Sequence, residues 1–410
     1  MKSFLKTPIT RGSAGQRASN VRRLLAALND TQASTVRALA ERLGLSVPTV
    51  SALLRQLEAE GIARQDGTDR SGVGRAARRY ALVPDARAVL LLDAACESRL
   101  RGWALDLLGR PLATDSADIP PGAGHRQIAQ AIGSLARRLA RQAGLAAVQD
   151  SGACHDADTA PGGRILGTVI SVPGVDPESR GVVVHCTNRA IEGMPLARLL
   201  DGLVPGPLVI ANDANLAAIG AAVQARKADL VLVLLGEGLG MGVYLDHAIR
   251  TGGFGFAGEI GHIPLADKSE RCYCGQRGCL ERVLSLSGMA EQYAGRSPGS
   301  ATAADIDAFA RAVEAGEPAA AQVLERAGEA LADLAIVIAN FLDPDTIAVA
   351  TPARPVLSWL RGALESAAQA QVLFSHLRPM VVEAVDDLDR VLQLGAVEVI
   401  LGRQPVLASV

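Results

Sequence analysis

The first eighty residues carry apolar side chains at the spacing of short amphipathic helices. A first helix is predicted from Ser19 to about Asn29, because its apolar residues recur every three or four positions: Val21, Leu24, Leu25 and Leu28. Residues 1–18 are polar, basic and contain Gly and Ser, so we expect them to form a flexible arm.

Two further helices are predicted from residues typical of helix ends. The second is expected to run from an N-cap at Ser34 to a stop at Gly44, and the third from an N-cap at Ser46 to Gly61. The third helix has an inward apolar set: Val50, Leu53, Leu54 and Leu57. A helix, a short turn containing Gly and a second helix form a helix-turn-helix.

Residues 62–83 continue as a predicted strand, a Gly-rich tip and a second strand, which completes a winged helix. In this arrangement the second helix of the motif enters the major groove of DNA by its N-terminal end. The candidate DNA-contacting residues on the third helix are Ser46, Val47, Thr49, Ser51 and Arg55. Those on the wing are Arg70, Arg75, Arg78 and Arg79. A helical hairpin used for oligomer contacts is the alternative interpretation of the helices.

Charge favours the DNA-binding interpretation. Residues 1–80 contain fourteen Lys or Arg and six Asp or Glu, while the whole chain has a formal net charge of −2. A basic head therefore precedes an acidic body. Neutralisation of phosphates by such a head supplies most of the non-specific affinity for nucleic acid.

After Pro84 the pattern changes to alternating strands and helices, which predicts an α/β body. Residues 88–95 and 102–109 are predicted paired strands, 126–143 an amphipathic helix, and 163–174 a buried strand. Residues 208–223 predict a strand running into a helix, and 229–245 two strands around a glycine turn. The apolar segment from Glu325 to Leu342 is a candidate subunit interface, with a buried core helix as the alternative.

Length and composition indicate a globular protein of two or three domains. The chain has 410 residues, of which 49% are hydrophobic and 20% charged. No apolar run approaches the ~18 residues of a membrane span, and the first fifteen residues lack the apolar core of a signal peptide. We therefore expect a cytoplasmic protein with no membrane partner.

Four soft metal ligands lie close together in the middle of the chain: His262, Cys272, Cys274 and Cys279. One imidazole and three thiolates suit a closed, tetrahedral, structural Zn²⁺ site, because four protein ligands leave no open position for water. Gly275 and Gly278 allow the tight turns that such convergence needs. The alternative is that these cysteines are ordinary reduced, buried side chains.

The segments GEIGH and CYCGQRGCLE, ending at Glu281, resemble the signature of the ROK family, which groups sugar-responsive repressors with sugar kinases. The resemblance covers about residues 81–402. It implies a body of two lobes with the actin and hexokinase-like fold, sugar in the cleft between them, and a zinc loop over residues 259–281. The sugar-binding residues it implies are Gly174, Asn188, Asn212, Asp213, Glu259, His262 and Glu281.

The resemblance also assigns Asp213 to the position of the kinase base, which accepts the proton of the attacked hydroxyl. An Asn-Asp pair after a strand is otherwise often a helix N-cap. ROK kinases have an Asp-Ile-Gly-Gly-Thr-Lys-like phosphate turn. Here Asp93 is followed by Ala94, Ala95, Cys96, Glu97 and Ser98, in a turn where added Cβ atoms and a carboxylate oppose phosphate binding.

Two other nucleotide elements also depart from the kinase pattern. Glu237 stands where kinases have Thr, and residues 350–352 replace the Gly-Gly before the adenosine site. Three altered elements beside a preserved sugar side predict a sugar sensor that is not an enzyme.

The expected organisation is therefore an arm over residues 1–18, a winged helix-turn-helix over 19–83 and a ROK body over 84–405. We expect a repressor that binds operator DNA and a sugar, with a structural zinc ion, as a homodimer or homotetramer that reaches two half-sites. An active sugar kinase with an appended DNA-binding domain is the alternative. A DNA-binding protein whose effector is a partner protein or zinc itself is a third hypothesis.

Overall fold

The protein was analysed as a computed structural model, which describes residues 13–31, 33–69, 76–145, 164–174, 181–184, 186–369 and 381–403. The N-terminal head consists of α1 (Ser13–Thr31), β1 (Ser34–Thr35), α2 (Val36–Leu43), α3 (Val47–Ala59), β2 (Ala63–Asp69) and β3 (Ala77–Leu82). The three strands form a sheet in the order β1-β3-β2. This is the predicted winged helix-turn-helix.

Two helix starts in the head differ from the prediction. Helix α1 begins at Ser13 rather than Ser19, so the last part of the expected arm is helical, and residues 1–12 lie outside the described residues. Thr35, not Ser34, caps α2 and accepts a hydrogen bond from the Ala38 amide at 3.2 Å. Ser34 pairs with Tyr80 in the sheet, and this long-range pairing takes it out of the cap position.

The other predicted helix ends of the head are confirmed. Gly44 is left-handed, with φ of 64°, and ends α2. Ser46 caps α3 by accepting from the Thr49 amide at 3.2 Å, and Gly61 follows the helix with φ of 71°. The predicted inward residues of α3 are all buried: Val50, Leu53, Leu54 and Leu57.

The first lobe of the body contains β4 (Arg87–Asp93), β5 (Arg99–Leu105), β6 (Pro111–Asp118), α4 (His125–Gln142), β7 (Arg164–Val172), α5 (Leu196–Leu199) and β8 (Leu208–Asn212). Its sheet has the order β6-β5-β4-β7-β8. Strands β4, β5 and β6 pair antiparallel, whereas β7 and β8 are added parallel to β4. The amphipathic helix α4 buries its apolar side against this sheet.

The second lobe repeats this topology. It contains α6 (Asp213–Ala225), β9 (Leu230–Leu235), β10 (Leu239–Leu245), β11 (Ala248–Ile249), α7 (Glu281–Leu284), α8 (Leu286–Ala294), α9 (Ala303–Glu314), α10 (Pro318–Leu342), β12 (Thr346–Ala350), α11 (Arg354–Gln369) and β13 (Val382–Val385), followed by α12 (Leu388–Arg403). Its sheet order is β11-β10-β9-β12-β13, again with two antiparallel and two parallel pairings. Numbered within each lobe, both sheets are 3-2-1-4-5.

The segment from Glu325 to Leu342 lies within α10. Its apolar side is buried in the core of the second lobe, through residues such as Leu331, Leu334 and Ile338. The core-helix alternative is therefore confirmed. Phe341 and Val337 remain exposed near the end of this helix.

Two helices cross between the lobes and pack on one another. Helix α6 follows the last strand of the first lobe and packs on β9 and β10 of the second, while α12 follows β13 and packs on β4 and β7 of the first. Their backbones touch: a Cβ added at Gly220 would lie 1.7 Å from the Val391 carbonyl oxygen, and one at Gly395 would lie 2.1 Å from that of Leu216. Only glycine fits at either position.

In the part of the chain that the structure describes, the head contacts the body through α1 and through a bond to Arg87. Helix α1 packs against α12, and their buried residues share one hydrophobic cluster. The Arg87 guanidinium, at the start of β4, donates to the carbonyl of Glu60, the C-cap residue of α3. Among the described residues, no helix combines the length and the apolar character that a membrane crossing requires.

Candidate functional site

The four predicted metal ligands converge. The ligand atoms of His262, Cys272, Cys274 and Cys279 all lie within 4.8 Å of one another. The Cys274 and Cys279 sulfurs are 3.7 Å apart, and the Cys272 sulfur is 3.9 Å from His262 Nδ1. Two thiolates at about 2.3 Å from one tetrahedral ion would be about 3.8 Å apart, so the geometry fits a shared metal ion.

A tight loop brings the sulfurs together. The Cys272 amide donates to the Gln276 carbonyl at 2.9 Å, which closes a turn containing Gly275 with φ of 91°. Gly278 has φ of 75°, and a Cβ there would lie 2.9 Å from the Ala266 carbonyl oxygen. Both glycines are therefore required by the backbone, as the sequence predicted.

Burial makes two of these thiols, those of Cys272 and Cys279, poor acids without a cation. It raises the pKa of Cys279 to about 12, with further contributions from the neighbouring cysteines, and it also raises the pKa of Cys272. A bound cation stabilises the thiolate form in such a site. One imidazole and three thiols can thus hold a metal ion.

Three of the predicted sugar-binding carboxylates, those of Asp213, Glu259 and Glu281, lie near one another, and the region that they line is called the cleft below. The pKa of Asp213 is raised to about 7, first by burial and also by the charges of Asp93 and Glu259. The pKa of Glu281 is likewise raised to about 7, first by burial and also by the charge of Glu259. Because the charge of Glu259 acts on both other groups, the three carboxyl groups lie near one another.

Glu281 is also anchored in the protein. Its carboxylate accepts a hydrogen bond from the Leu239 amide at 2.8 Å and another from the Tyr273 hydroxyl at 3.4 Å. In sequence Tyr273 lies between Cys272 and Cys274, two of the candidate metal ligands, and it packs edge-on against His262. The segment 259–281, called the metal loop from here on, therefore helps to position Glu281, which lies in the interior with 4% of its surface exposed.

Asn212 is the N-cap of α6. Its Oδ1 accepts from the Asn215 amide at 3.0 Å, and its Nδ2 donates to the Pro173 carbonyl at 3.4 Å, next to Gly174. The N-cap alternative is thus confirmed for Asn212. Asp213 is the first residue of the helix, and its Oδ1 accepts from the Ala214 amide at 2.7 Å. The strand-to-helix junction holds both polar side chains at the cleft.

Asn188 is occupied by contacts within the protein. Its Nδ2 donates to the carbonyls of Ala94 at 2.9 Å and Cys96 at 3.2 Å, and its Oδ1 accepts from the Ala190 amide. The side chain is buried. In this arrangement Asn188 holds the turn after β4, and its donors and one acceptor position are already used.

Two residues beside Asn188 were missed by sequence reasoning. The buried Thr187 hydroxyl has no hydrogen-bond partner among the described residues, and a Cβ added at Gly238, close to Glu281, would approach it at 3.6 Å. The Arg189 guanidinium lies 5.7 Å from the centre of the Tyr273 ring and so bridges the two lobes. The sequence motif pointed only to Asn188, and nothing local showed that its neighbours reach the opposite lobe.

Carboxylates from the turn after β4 and from the turn between β9 and β10 lie near one another. Burial raises the pKa of Glu237, and the charges of Glu97 and Asp93 raise it further. Glu237 lies in the turn between β9 and β10, so the carboxylates come from both lobes. Such a cluster opposes the binding of a polyphosphate.

The candidate DNA-contacting residues of α3 lie on its accessible side. Ser46, Val47 and Arg55 are exposed, whereas Thr49 and Ser51 are half-buried. The Ser46 and Thr49 hydroxyl oxygens are 2.7 Å apart. The beginning of the helix is therefore presented to solvent.

On the wing, Arg78 and Arg79 are exposed on β3. Arg79 also donates to the Ala33 carbonyl at 2.9 Å, and this bond ties the wing to the turn between the first two helices. Arg70 and Arg75 lie outside the described residues.

The sequence matches the ROK family over residues 153–398, which is more than half of the chain. The chain belongs to the ROK family. Residues 18–64 match a winged helix-turn-helix DNA-binding domain, in agreement with the head of the structure. The protein is thus a ROK protein whose head is a winged helix-turn-helix domain of a DNA-binding family.

Both repressors and kinases are among its relatives. The putative xylose repressor of Caldicellulosiruptor sp. strain Rt8B.4 is 27% identical over 255 residues, covering 58% of this chain and 63% of the repressor. The N-acetylmannosamine kinase of Vibrio cholerae is 34% identical over 155 residues, covering 37% of this chain and 53% of the kinase. The matched segments span between 31% and 63% of the first curated relatives.

A crystal structure of a ROK family transcriptional regulator, described as a homologue of the E. coli MLC protein, superposes with a TM-score of 0.72. The match has 18% identity and covers 96% of this chain and 99% of that regulator. At 18% sequence identity, the structural similarity establishes the fold of this chain. The predicted winged head and two-lobed, hexokinase-like ROK body are confirmed.

Proposed function

We propose that this ROK protein is a sugar-responsive transcriptional regulator that acts as a repressor of genes for carbohydrate uptake or catabolism. The observation that carries the proposal is the joining, in one chain, of a winged helix with an exposed recognition helix to a ROK cleft lined by Asp213, Glu259 and Glu281. The head would bind operator DNA, and sugar in the cleft would change its affinity.

The chemistry of the cleft suits a polyhydroxylated ligand. Carboxylates hold vicinal hydroxyls by paired hydrogen bonds, and a buried polar group left unpaired penalises analogues that lack the hydroxyl. The buried Asn215 Oδ1 and Thr187 Oγ1 have no partner among the described residues, so both are available to a ligand. We propose Gly174, Asn212 and His262 as further neighbours of the sugar.

In this proposal the metal ion is a structural Zn²⁺ held by His262, Cys272, Cys274 and Cys279, since three thiols and one imidazole match its preference. The ion cross-links the loop, and the chain's own residues contact the ligand: Tyr273 positions Glu281, which with Asp213 accepts hydroxyl hydrogen bonds.

The oligomer is part of the proposal. Helix-turn-helix regulators read two half-sites about one DNA turn apart, so a homodimer or homotetramer is needed to present two heads. A sugar can change operator affinity only if it binds one arrangement of the protein better than another.

A sugar kinase is the second candidate. It is favoured by the similarity to N-acetylmannosamine kinase and by the pKa of Asp213 near 7, which suits a general base. The carboxylates around the altered phosphate turn argue against it.

The deciding experiment measures binding of the purified protein to DNA from upstream of its own gene, at two salt concentrations. D-xylose, D-glucose, N-acetyl-D-glucosamine and N-acetyl-D-mannosamine would be added in turn, without ATP. We expect sequence-specific binding that one sugar changes by about fivefold or more. Asp213→Asn should keep operator binding and lose the sugar effect. Absence of specific binding at both salt concentrations would refute the proposal.

A further inference from the structure

We propose that Arg101 is a positioning residue that links the sugar cleft to the DNA-binding head, by holding Asp93 in the cleft to Asp389 in the first turn of α12. This inference rests on the proposed function, because it assigns a route for the sugar response.

The Arg101 guanidinium joins two carboxylates that are distant in sequence. Its Nη2 lies 2.6 Å and its Nε 3.2 Å from Asp93 Oδ2, while Nη1 lies 2.8 Å from Asp389 Oδ1. A planar guanidinium fork fixes the geometry of both partners, which a lysine ammonium does not. Arg101 is itself held 5.2 Å above the Trp103 ring.

The Asp93–Arg101–Asp389 contacts, called the bridge below, run from the interior to the surface. The Asp93 side chain is 5% exposed and that of Asp389 is 42% exposed. At the inner end, Asp93 also accepts from the Ala95 amide at 3.2 Å, and its charge acts on Asp213. A displacement of Asp93 therefore changes the electrostatic surroundings of a proposed sugar-binding residue.

At the outer end, α12 belongs to both lobes and touches the head. It follows β13 of the second lobe, yet Arg390 in its first turn donates to the carbonyls of Leu108 and Gly109 in the first. Further along, it packs on α6 through Gly395 and Val391, and it contacts α1. Because these helices touch through their backbones, α12 cannot shift without moving its neighbours.

The bridge and the α6 crossing therefore tie α12 to the cleft in two ways. Helix α6 begins at Asp213, and Asp93 reaches α12 through Arg101. Closure of the lobes on a sugar changes the position of β13 relative to β4. Because the bridge connects α12 to the end of β4, α12 then moves with β4. The head then senses the change through α1 and through the bond from Arg87 to Glu60.

The test compares Asp389→Asn with Asp386→Asn as a matched control. Asp386 precedes α12 in the same segment and pairs at 2.5 Å with Arg361, outside the bridge. Operator affinity is measured with and without each of the four sugars above. In Asp389→Asn the sugar-dependent ratio of operator affinities should fall from about fivefold or more to about 1, with sugar-free operator affinity nearly unchanged. Asp386→Asn should keep the wild-type ratio.

A second variant, Arg101→Lys, retains the charge but can hold only one carboxylate at a time, so its ratio should lie between those of wild type and Asp389→Asn. A wild-type ratio in Asp389→Asn, or an equal loss in Asp386→Asn, overturns the proposal.

A readout without sugar or DNA separates this inference from the proposed function. Hydrogen exchange of the full-length protein should rise in α1 and in residues 208–216 of Asp389→Asn, but not of Asp386→Asn. If none of the four sugars changes operator binding by the wild type, the proposed function fails. Independently, unchanged hydrogen exchange in α1 and in residues 208–216 of Asp389→Asn rejects the bridge.

Discussion

The ionisation of Asp213 makes the free energy of unfolding of the protein depend on pH. Its pKa is raised to about 7 by burial and by the charges of Asp93 and Glu259, whereas an unfolded chain has an aspartate pKa of about 4. Between about pH 4 and pH 7 the folded protein therefore keeps a proton that the unfolded chain has lost. The associated stability is complete below about pH 4 and is lost as the pH rises to about 7.

For Asp213→Asn we expect the free energy of unfolding to lose this component of its pH dependence. The difference, variant minus wild type, should grow in favour of the variant from pH 4 to 7 and then level off. Urea unfolding at several pH values measures it. A difference that is the same at pH 4 and pH 8 would show that Asp213 ionises normally.

The metal loop makes a second prediction at the level of single residues. Cys272→Ser should lower the zinc content of the purified protein and weaken the sugar response, because the loop that carries Tyr273 and Glu281 loses its cross-link. Metal analysis and sugar-dependent operator binding measure the two effects. Cys96→Ser, which changes a cysteine outside the cluster, is the control and should retain its zinc. Full zinc content in Cys272→Ser would contradict the assignment.

At the scale of elements, the crossing of α6 and α12 depends on glycine. A methyl group at Gly220 would lie 1.7 Å from the Val391 carbonyl oxygen, so the helices must separate. We expect Gly220→Ala to reduce the free energy of unfolding by about 3 kcal/mol.

Gly362→Ala is the matched control, since Gly362 lies within α11 with no atom within 4 Å of the added methyl. It should stabilise the protein by up to ~1 kcal/mol, through helix propensity. Urea unfolding of Gly220→Ala and Gly362→Ala measures both effects. Equal free energies of unfolding would show that α6 and α12 are not in tight contact at Gly220.

The recognition helix makes the second prediction for an element. Arg55 lies on the exposed side of α3, so Arg55→Gln should weaken operator binding about tenfold and reduce the salt dependence by about one phosphate contact. Arg311→Gln changes an equally exposed helical arginine in the body and should have no effect. Fluorescence anisotropy at several salt concentrations measures both. Equal losses of operator affinity in the two variants would show that the net charge of the protein, rather than a contact from α3, causes the loss.

At the scale of the whole molecule, both lobes contribute carboxylates to one cluster. Asp93 and Glu97 come from the first lobe and Glu237 from the second, and the pKa of Glu237 is raised in part by the other two. Closing the lobes on a polyphosphate would bring like charges together. We therefore expect no ATP consumption with any of the four sugars in a coupled assay. Sugar-dependent turnover would instead favour the kinase.

Local sequence signals predicted the head and the metal loop well. The caps at Ser46 and Gly44 act within a few residues, and the four metal ligands lie within eighteen positions of one another, so their spacing alone limits the geometry. Ser34 shows where such signals fail. Its side chain is a good cap, but pairing with Tyr80 places it in a strand.

The sequence by itself determined the winged head, the α/β body and the metal tetrad, because each depends on periodicity or on contacts between near neighbours in the chain. Only the tertiary structure decided that Asn188 clamps the turn after β4, that Arg101 joins Asp93 to Asp389, and that Gly220 meets Val391. Asn188 meets the turn after β4 when the first lobe folds. Asp389 and Val391 lie on α12 and reach Arg101 and Gly220 only when the two lobes pack through their crossing helices.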